Sequence, residues 1–214
     1  MINNKKENTN KEEVNSREQK ILDAAKEVFA RKGYDAARVE EIAKEAGVNK
    51  ALLFYYFRSK ENILKQLIER GIVKAVKILN EHINGILEND EEAINTLIED
   101  FIGFLFARKK LIKIMLLETF KDDNENTYIM DFINPLLEAL KESREDCRDL
   151  KDEIDYKLRM FFINTAPIIT YIVIGDKWSD YYKLDQAESE KRFIKMIKEQ
   201  QSYFLLTHKE PSIK

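Results

Sequence analysis

The chain has 214 residues, 44% of them hydrophobic and 35% charged, with one cysteine, six glycines and three prolines. That much apolar material builds a real core and excludes wholesale disorder. So few turn-forming residues disfavour sheet-rich folds, and a single cysteine excludes an internal disulfide. The fold class expected is all-α. The net charge of −3 argues against a nucleic-acid binder, but the charge is unevenly placed. Residues 1–60 carry a net +3 and the remainder a net −6. Between Ala46 and Lys60 stand Lys50, Arg58 and Lys60 with no acid among them.

Residues 1–15 are polar, without an apolar period, and read as a flexible N-terminal arm. Ser16 is a candidate cap for a first helix in which Ile21, Leu22, Ala25, Val28 and Phe29 recur at helical spacing. Gly33 stops it after Arg31 and Lys32. A second helix is expected over 38–46, with Val39, Ile42 and Ala43 facing inward. Gly47 marks a turn where a positive φ costs least. Asn49 then caps a third helix from Lys50 to Tyr56, and Leu53 and Phe57 fall on its inner side. This is the spacing of a helix-turn-helix, which presents its second helix to the major groove of DNA. The reading gives an N-terminal three-helix helix-turn-helix domain over 16–62.

Ser59 is placed to cap a fourth helix of roughly 25 residues, ~37 Å long at the standard rise, which continues into a second domain over 63–208. Asp90 opens a further helix, Lys109 to Phe120 forms another, and 128–144, 150–174 and 186–206 follow. Residues 209–214 read as a C-terminal tail. Pro135 and Pro167 interrupt helical runs; Pro167 removes the bond to the Ile163 carbonyl. Kinks open space, so Phe101, Phe104, Met115, Phe132, Phe161 and Phe162 are candidates to line an apolar cavity, with Asn164 and Thr165 as its polar contacts. The competing reading of each is ordinary core. With no counter-ion in view, the effector expected is apolar or amphipathic.

No run of 18 uninterrupted apolar residues exists; Met160 to Gly175 contains Asn164, Thr165, Pro167 and Thr170. No membrane partner is expected, and the location expected is cytoplasmic. His82, His208 and Cys147 are too scattered for a zinc site, so neither metal nor cofactor is expected. No nucleophile–base pair or paired carboxylates stand out, so the chain reads as a non-enzyme.

Three motifs occur in order: Phe29-Ala30-x-x-Gly33-Tyr34, then Val39-x-x-Ile42-Ala43-x-x-Ala46-Gly47-Val48, then Asn49-Lys50-x-x-Leu53-x-x-Tyr56-Phe57-x-Ser59-Lys60-Glu61. Together they resemble the TetR family of transcriptional regulators over residues 21–64. The resemblance implies a ligand-responsive DNA-binding regulator, a repressor released from its operator by a small effector. It places Lys50, Ala51 and Phe54 near base edges and Asn49, Tyr55, Tyr56 and Lys60 at the DNA backbone. The chain departs from the family pattern at Ala37-Arg38 and at Leu52, where hydroxyl residues are usual. Capping of the second helix then falls to another residue, Asp35 being a candidate, and Arg38 takes on a phosphate contact. The family's C-terminal domain binds ligand and dimerises, its last two helices forming the homodimer seam. That makes Ile168, Ile172, Phe193, Met196, Ile197 and Phe204 candidate interface residues, against the reading that they fill the protomer's own core. The implied partners are a near-palindromic double-stranded operator, a small-molecule effector and a second copy. The alternative is an all-helical protein-interaction module that has lost specific DNA binding.

Overall fold

The structure, a computed structural model, describes residues 2–88, 90–121, 126–143 and 153–207, with side chains described between Asn15 and Gln200 apart from Ile86 and Ser143. Every regular element among these residues is helical. They are α1 (Ile2–Lys32), α2 (Val39–Glu45), α3 (Lys50–Phe57), α4 (Lys60–Glu81), α5 (Ile83–Leu87), α6 (Glu91–Phe106), α7 (Lys109–Thr119), α8 (Tyr128–Ser143), α9 (Glu153–Leu158), a π-helical stretch (Arg159–Thr165), α10 (Ala166–Tyr181) and α11 (Gln186–Thr207). The chain divides into two compact units: Met1–Arg70 with Lys113–Tyr128, and Gly71–Ile112 with Ile129–Lys214.

The core of the first unit is the one the apolar period marks. Ile21, Leu22, Val28, Phe29, Ile42, Leu53 and Phe57 are all buried. Each such side chain stabilises the fold by roughly 1.5–3 kcal/mol relative to leaving it in water. Ile63 and Leu64, at the start of α4, are fully buried in the same unit. The unit therefore extends beyond residue 62, to Arg70, and it includes part of α7. Helical periodicity shows that a face is buried but not against what, which is why the sequence boundary falls short.

α1 also differs from expectation. It begins at Ile2 rather than at Ser16, so the backbone of the expected arm is helical. The run from Ile2 to Lys32 holds no Gly or Pro, and its Lys and Glu residues are good helix formers. Polarity alone did not make it a loop.

The turn between α2 and α3 closes as a Schellman motif. Gly47, at φ +67°, donates to the Lys44 carbonyl, and Val48 donates to the Ala43 carbonyl at 2.9 Å. Asn49 then starts α3: its Oδ1 accepts from the Leu52 N–H at 2.7 Å. α2 is not capped by Asp35. The Glu41 side chain reaches back to the Arg38 N–H at 3.2 Å. The Arg38 guanidinium has no acceptor with which to return the bond.

In the second unit, Asp90 caps α6 by accepting from the Glu92 and Ala93 N–H groups. α5 lies close against α6: a Cβ built on Gly85 would sit 2.2 Å from the Ala93 Cβ. The run from Glu153 to Tyr181 is one continuous helix of 29 residues, long and apolar enough by length and composition to cross a membrane. Its inner side, with Met160, Ile168, Ile169 and Ile172, is buried. The expected Pro167 kink is replaced by a change of winding. Residues 159–165 adopt π geometry, and Pro167 sits in the first turn of α10, just past the change of winding. The Ile163 carbonyl accepts from the Gln200 side chain at 3.3 Å instead.

Candidate functional site

The outward side of α3 gathers most of the residues expected at DNA. Arg38, Asn49, Lys50, Ala51 and Tyr55 are exposed, Phe54 is 38% exposed, and Tyr56 is half-buried. Beneath them Leu53 and Phe57 anchor the helix to the core. Tyr55 and Tyr56 meet edge to face with ring centroids 5.3 Å apart. Lys50 pairs with Glu40 across the turn and lies 5.6 Å from the Phe54 ring centroid. The Lys50 hydrogen bond and its charge hold the Glu40 carboxyl below the ordinary glutamate range. To donate to a guanine or a phosphate, Lys50 must exchange this partner. Asn49 has spent its Oδ1 on the cap but retains its Nδ2 donors for a backbone contact.

Lys60 leaves the set. Its Nζ donates to the carbonyls of Tyr34 at 2.7 Å, Asp35 at 3.1 Å and Ala37 at 3.2 Å. An ammonium has three N–H bonds, so none remains for a phosphate. The motif position is right, but its cation closes the loop between α1 and α2. The ammonium also lies 4.4 Å from the Tyr34 ring centroid. On the same loop, Asp35 pairs with Lys121, and Lys121 in turn holds the buried Glu118 at 2.7 Å. Burial opposes the Lys121 charge, but the two carboxylates outweigh it and raise its pKa. Burial, reinforced by Tyr128 and the surrounding carboxylates, pushes the Tyr34 hydroxyl well above its usual pKa. No sequence motif gives Lys121 away, because its partner stands 86 residues earlier.

A residue missed by sequence reasoning sits where α3 ends. Arg58 has φ +61° and ψ −38°, and the Ser59 N–H donates across it to the Phe57 carbonyl at 2.6 Å. This is a γ-turn with a positive central φ, a strained form costing on the order of 1–3 kcal/mol in a residue other than glycine.

The second unit holds an apolar cavity of about 110 Å³. Of the expected lining residues, Phe101, Asn164 and Thr165 are there. They are joined by aliphatic side chains from α4, α6 and α8, among them Leu79, Ile98, Leu136 and Leu137. Phe104 and Phe132 are buried elsewhere in the core, Phe132 against Gly71. Met115 belongs to the first unit. Phe161 and Phe162 meet edge to face outside the lining, and Phe162 is 60% exposed. Met160 and Asn164 lie one helical turn apart on the cavity side, which turns positions 161 and 162 away. Asn164 donates weakly to the Met160 sulfur, and the Thr165 hydroxyl donates to the Met160 carbonyl at 2.9 Å.

The expected dimer seam is also corrected. Ile168, Ile172 and Ile197 are buried within the protomer, and Phe193 stacks on Tyr171 at 3.9 Å. A partner cannot reach the three isoleucines. Met196 is exposed; Phe204 lies outside the residues whose side chains are described.

The family described as "Bacterial regulatory proteins, tetR family" matches residues 21–67, the stretch that builds the reader and the start of α4. Residues 21–67 are thus similar to the DNA-binding domain of the TetR family. The chain's helix-turn-helix and its all-α architecture are those of DNA-binding transcriptional regulators of that kind. Among its relatives is the Bacillus subtilis (strain 168) "Fatty acid metabolism regulator protein", 27% identical over 177 residues, covering 79% of this chain and 90% of that protein. The Staphylococcus aureus (strain Newman) "Biofilm operon icaADBC HTH-type negative transcriptional regulator IcaR" is 34% identical over 87 residues, 41% of this chain and 42% of that protein. Two solved structures share the chain's fold. The fatty acid degradation regulator FadR from Bacillus halodurans superposes with a TM-score of 0.63 at 24% identity, covering 90% of this chain and 99% of that one. FadR from Bacillus subtilis, in complex with stearoyl-CoA, gives 0.58 at 23% identity, covering 84% and 96%.

Proposed function

We propose that the chain is a homodimeric repressor released from a near-palindromic operator by an amphipathic effector of the fatty-acyl class, without catalytic activity. Its place of action is the cytoplasm, beside its template. The observation that carries this reading is the cavity: aliphatic walls, with Asn164 and Thr165 as its polar lining residues. Such a lining suits a hydrocarbon chain whose polar end is fixed by few contacts. The names of the relatives support the same class, since one is a regulator of fatty acid metabolism and one structure holds stearoyl-CoA.

The cavity's 110 Å³ is well below the ~300–1,000 Å³ of ordinary ligand pockets. An acyl chain therefore has to enlarge it. That requirement supplies the differential affinity that control needs, because the ligand binds the widened state better than the closed one. α4 runs from the reader into the second unit and is the proposed lever.

Dimerisation is supported by an exposed apolar stripe on α10 and its C-cap residue. Ile174, Trp178, Tyr181 and Tyr182 recur at the spacing of one helical face and are 47–80% exposed. Monomers rarely leave such a stripe in water.

Isothermal titration of the chain with a long-chain acyl thioester, alongside footprinting on its selected operator, tests the proposal. It expects ligand binding and a twofold-symmetric footprint whose two halves lie one or more turns of the duplex apart. A protein with no salt-sensitive DNA binding would instead be the interaction module.

A further inference from the structure

The reader holds three cations between Ala46 and Lys60, and two are occupied. Lys50 pairs with Glu40, and Lys60 is spent on three carbonyls. Arg58 is exposed and, among the described residues, has neither an ion pair nor a side-chain hydrogen bond. It stands three positions after Tyr55, which is 80% exposed on the DNA-facing side of α3. The acids lining the same surface groove, Glu18 and Glu69, are engaged by Arg70 and Gln66.

The backbone makes this arginine conspicuous. At the two other positive-φ positions of the same unit, 33 and 47, the chain uses glycine, the residue for which that conformation is free. At 58 it keeps a long cationic side chain in a strained turn. Strain tolerated beside a binding face points to a role for the side chain.

We propose that Arg58 is a phosphate anchor of this protein, gripping the DNA backbone at the C-terminal end of the recognition helix and replacing the contact that Lys60 cannot make. The inference rests on the reading that the outward side of α3 faces DNA. Arg58 contributes affinity and salt dependence but no sequence preference, because phosphates are the same at every step.

The test compares wild type, Arg58→Gly and Arg58→Lys in the full chain. Binding is measured on mixed-sequence duplex DNA and on a duplex selected by the wild-type protein from a random pool, over a range of salt. Arg58→Gly is expected to melt about 2–4 °C higher, because the turn is no longer strained. It is also expected to bind both duplexes several-fold more weakly, with the slope of log K against log salt smaller by about 0.9, one phosphate's worth. Arg58→Lys keeps the wild-type slope. An Arg58→Gly protein with wild-type affinity and slope on both duplexes overturns the assignment of Arg58 while leaving the reader intact. Wild-type protein whose binding ignores salt overturns the DNA-facing reading, and this inference with it.

Discussion

Lys60 donates to the Tyr34 carbonyl at 2.7 Å and lies 4.4 Å from the centroid of the same residue's ring. One side chain thus ties the first residue of α4 to the loop that leads into the helix-turn-helix. Lys60→Met retains the stem and removes the donors. The carbonyls of Tyr34, Asp35 and Ala37 then lose a partner, a cost of about 1–3 kcal/mol. The expected result is a lower denaturation midpoint with an unchanged salt slope of DNA binding at temperatures where the variant is folded. A slope reduced by about one ion would return Lys60 to the phosphate contacts.

Gly85 and Ala93 touch closely enough to forbid a methyl group at position 85, where a Cβ would stand 2.2 Å from that of Ala93. Gly85→Ala should destabilise the second unit by about 1–3 kcal/mol through overpacking. Adding Ala93→Gly should recover part of the loss, and a double-mutant cycle by thermal melting reads the coupling directly. Two additive effects would place the strain elsewhere.

The cavity makes an opposite prediction. Leu136 lines it, and Leu136→Phe adds volume where the walls leave a void. Filling the void should leave operator binding intact and hold the melting temperature or raise it. Acyl-thioester affinity should fall at least tenfold, as read by calorimetry. Wild-type ligand affinity in this variant would mean the effector binds outside the cavity.

Two carboxylates of α2 link the reader to pH. Hydrogen bonding to Lys50 holds the Glu40 carboxyl low, and hydrogen bonding to Lys32, with the Arg38 N–H, does the same for Glu41. A depressed folded pKa gives stability that is complete above the ordinary glutamate value of 4.5 and is lost as pH falls toward the lower folded value. The melting temperature should therefore decline as pH falls below the ordinary glutamate value, and Glu41→Gln should flatten that decline. An identical pH profile in the variant would remove Glu41 from the balance.

The reader was legible in sequence because its constraints are local. Apolar spacing set Leu53 and Phe57 inside; Gly47 and Asn49 marked the turn and the cap. What escaped was non-local. Lys60 is diverted by carbonyls 23–26 residues away, Asp35 by Lys121, and the Ile163 carbonyl by Gln200. The helices carrying Pro135 and Pro167 do border the cavity, but the aromatic residues lie on both sides of their helices: Phe101 faces it, and Phe104, Phe132, Phe161 and Phe162 do not. Ile168, Ile172 and Ile197 show the same limit: a period reports burial and not whether the partner is the same chain or another.

On the proposed function, occupancy of the second unit and grip on DNA are two readouts of one equilibrium. Linkage makes this testable in a single closed cycle. Operator affinity is measured with and without a saturating long-chain acyl thioester, and thioester affinity with and without saturating operator. We predict that both fall by the same factor, of order 5–150-fold. Thioester binding that leaves operator affinity unchanged, in a protein that binds each partner alone, would contradict the account.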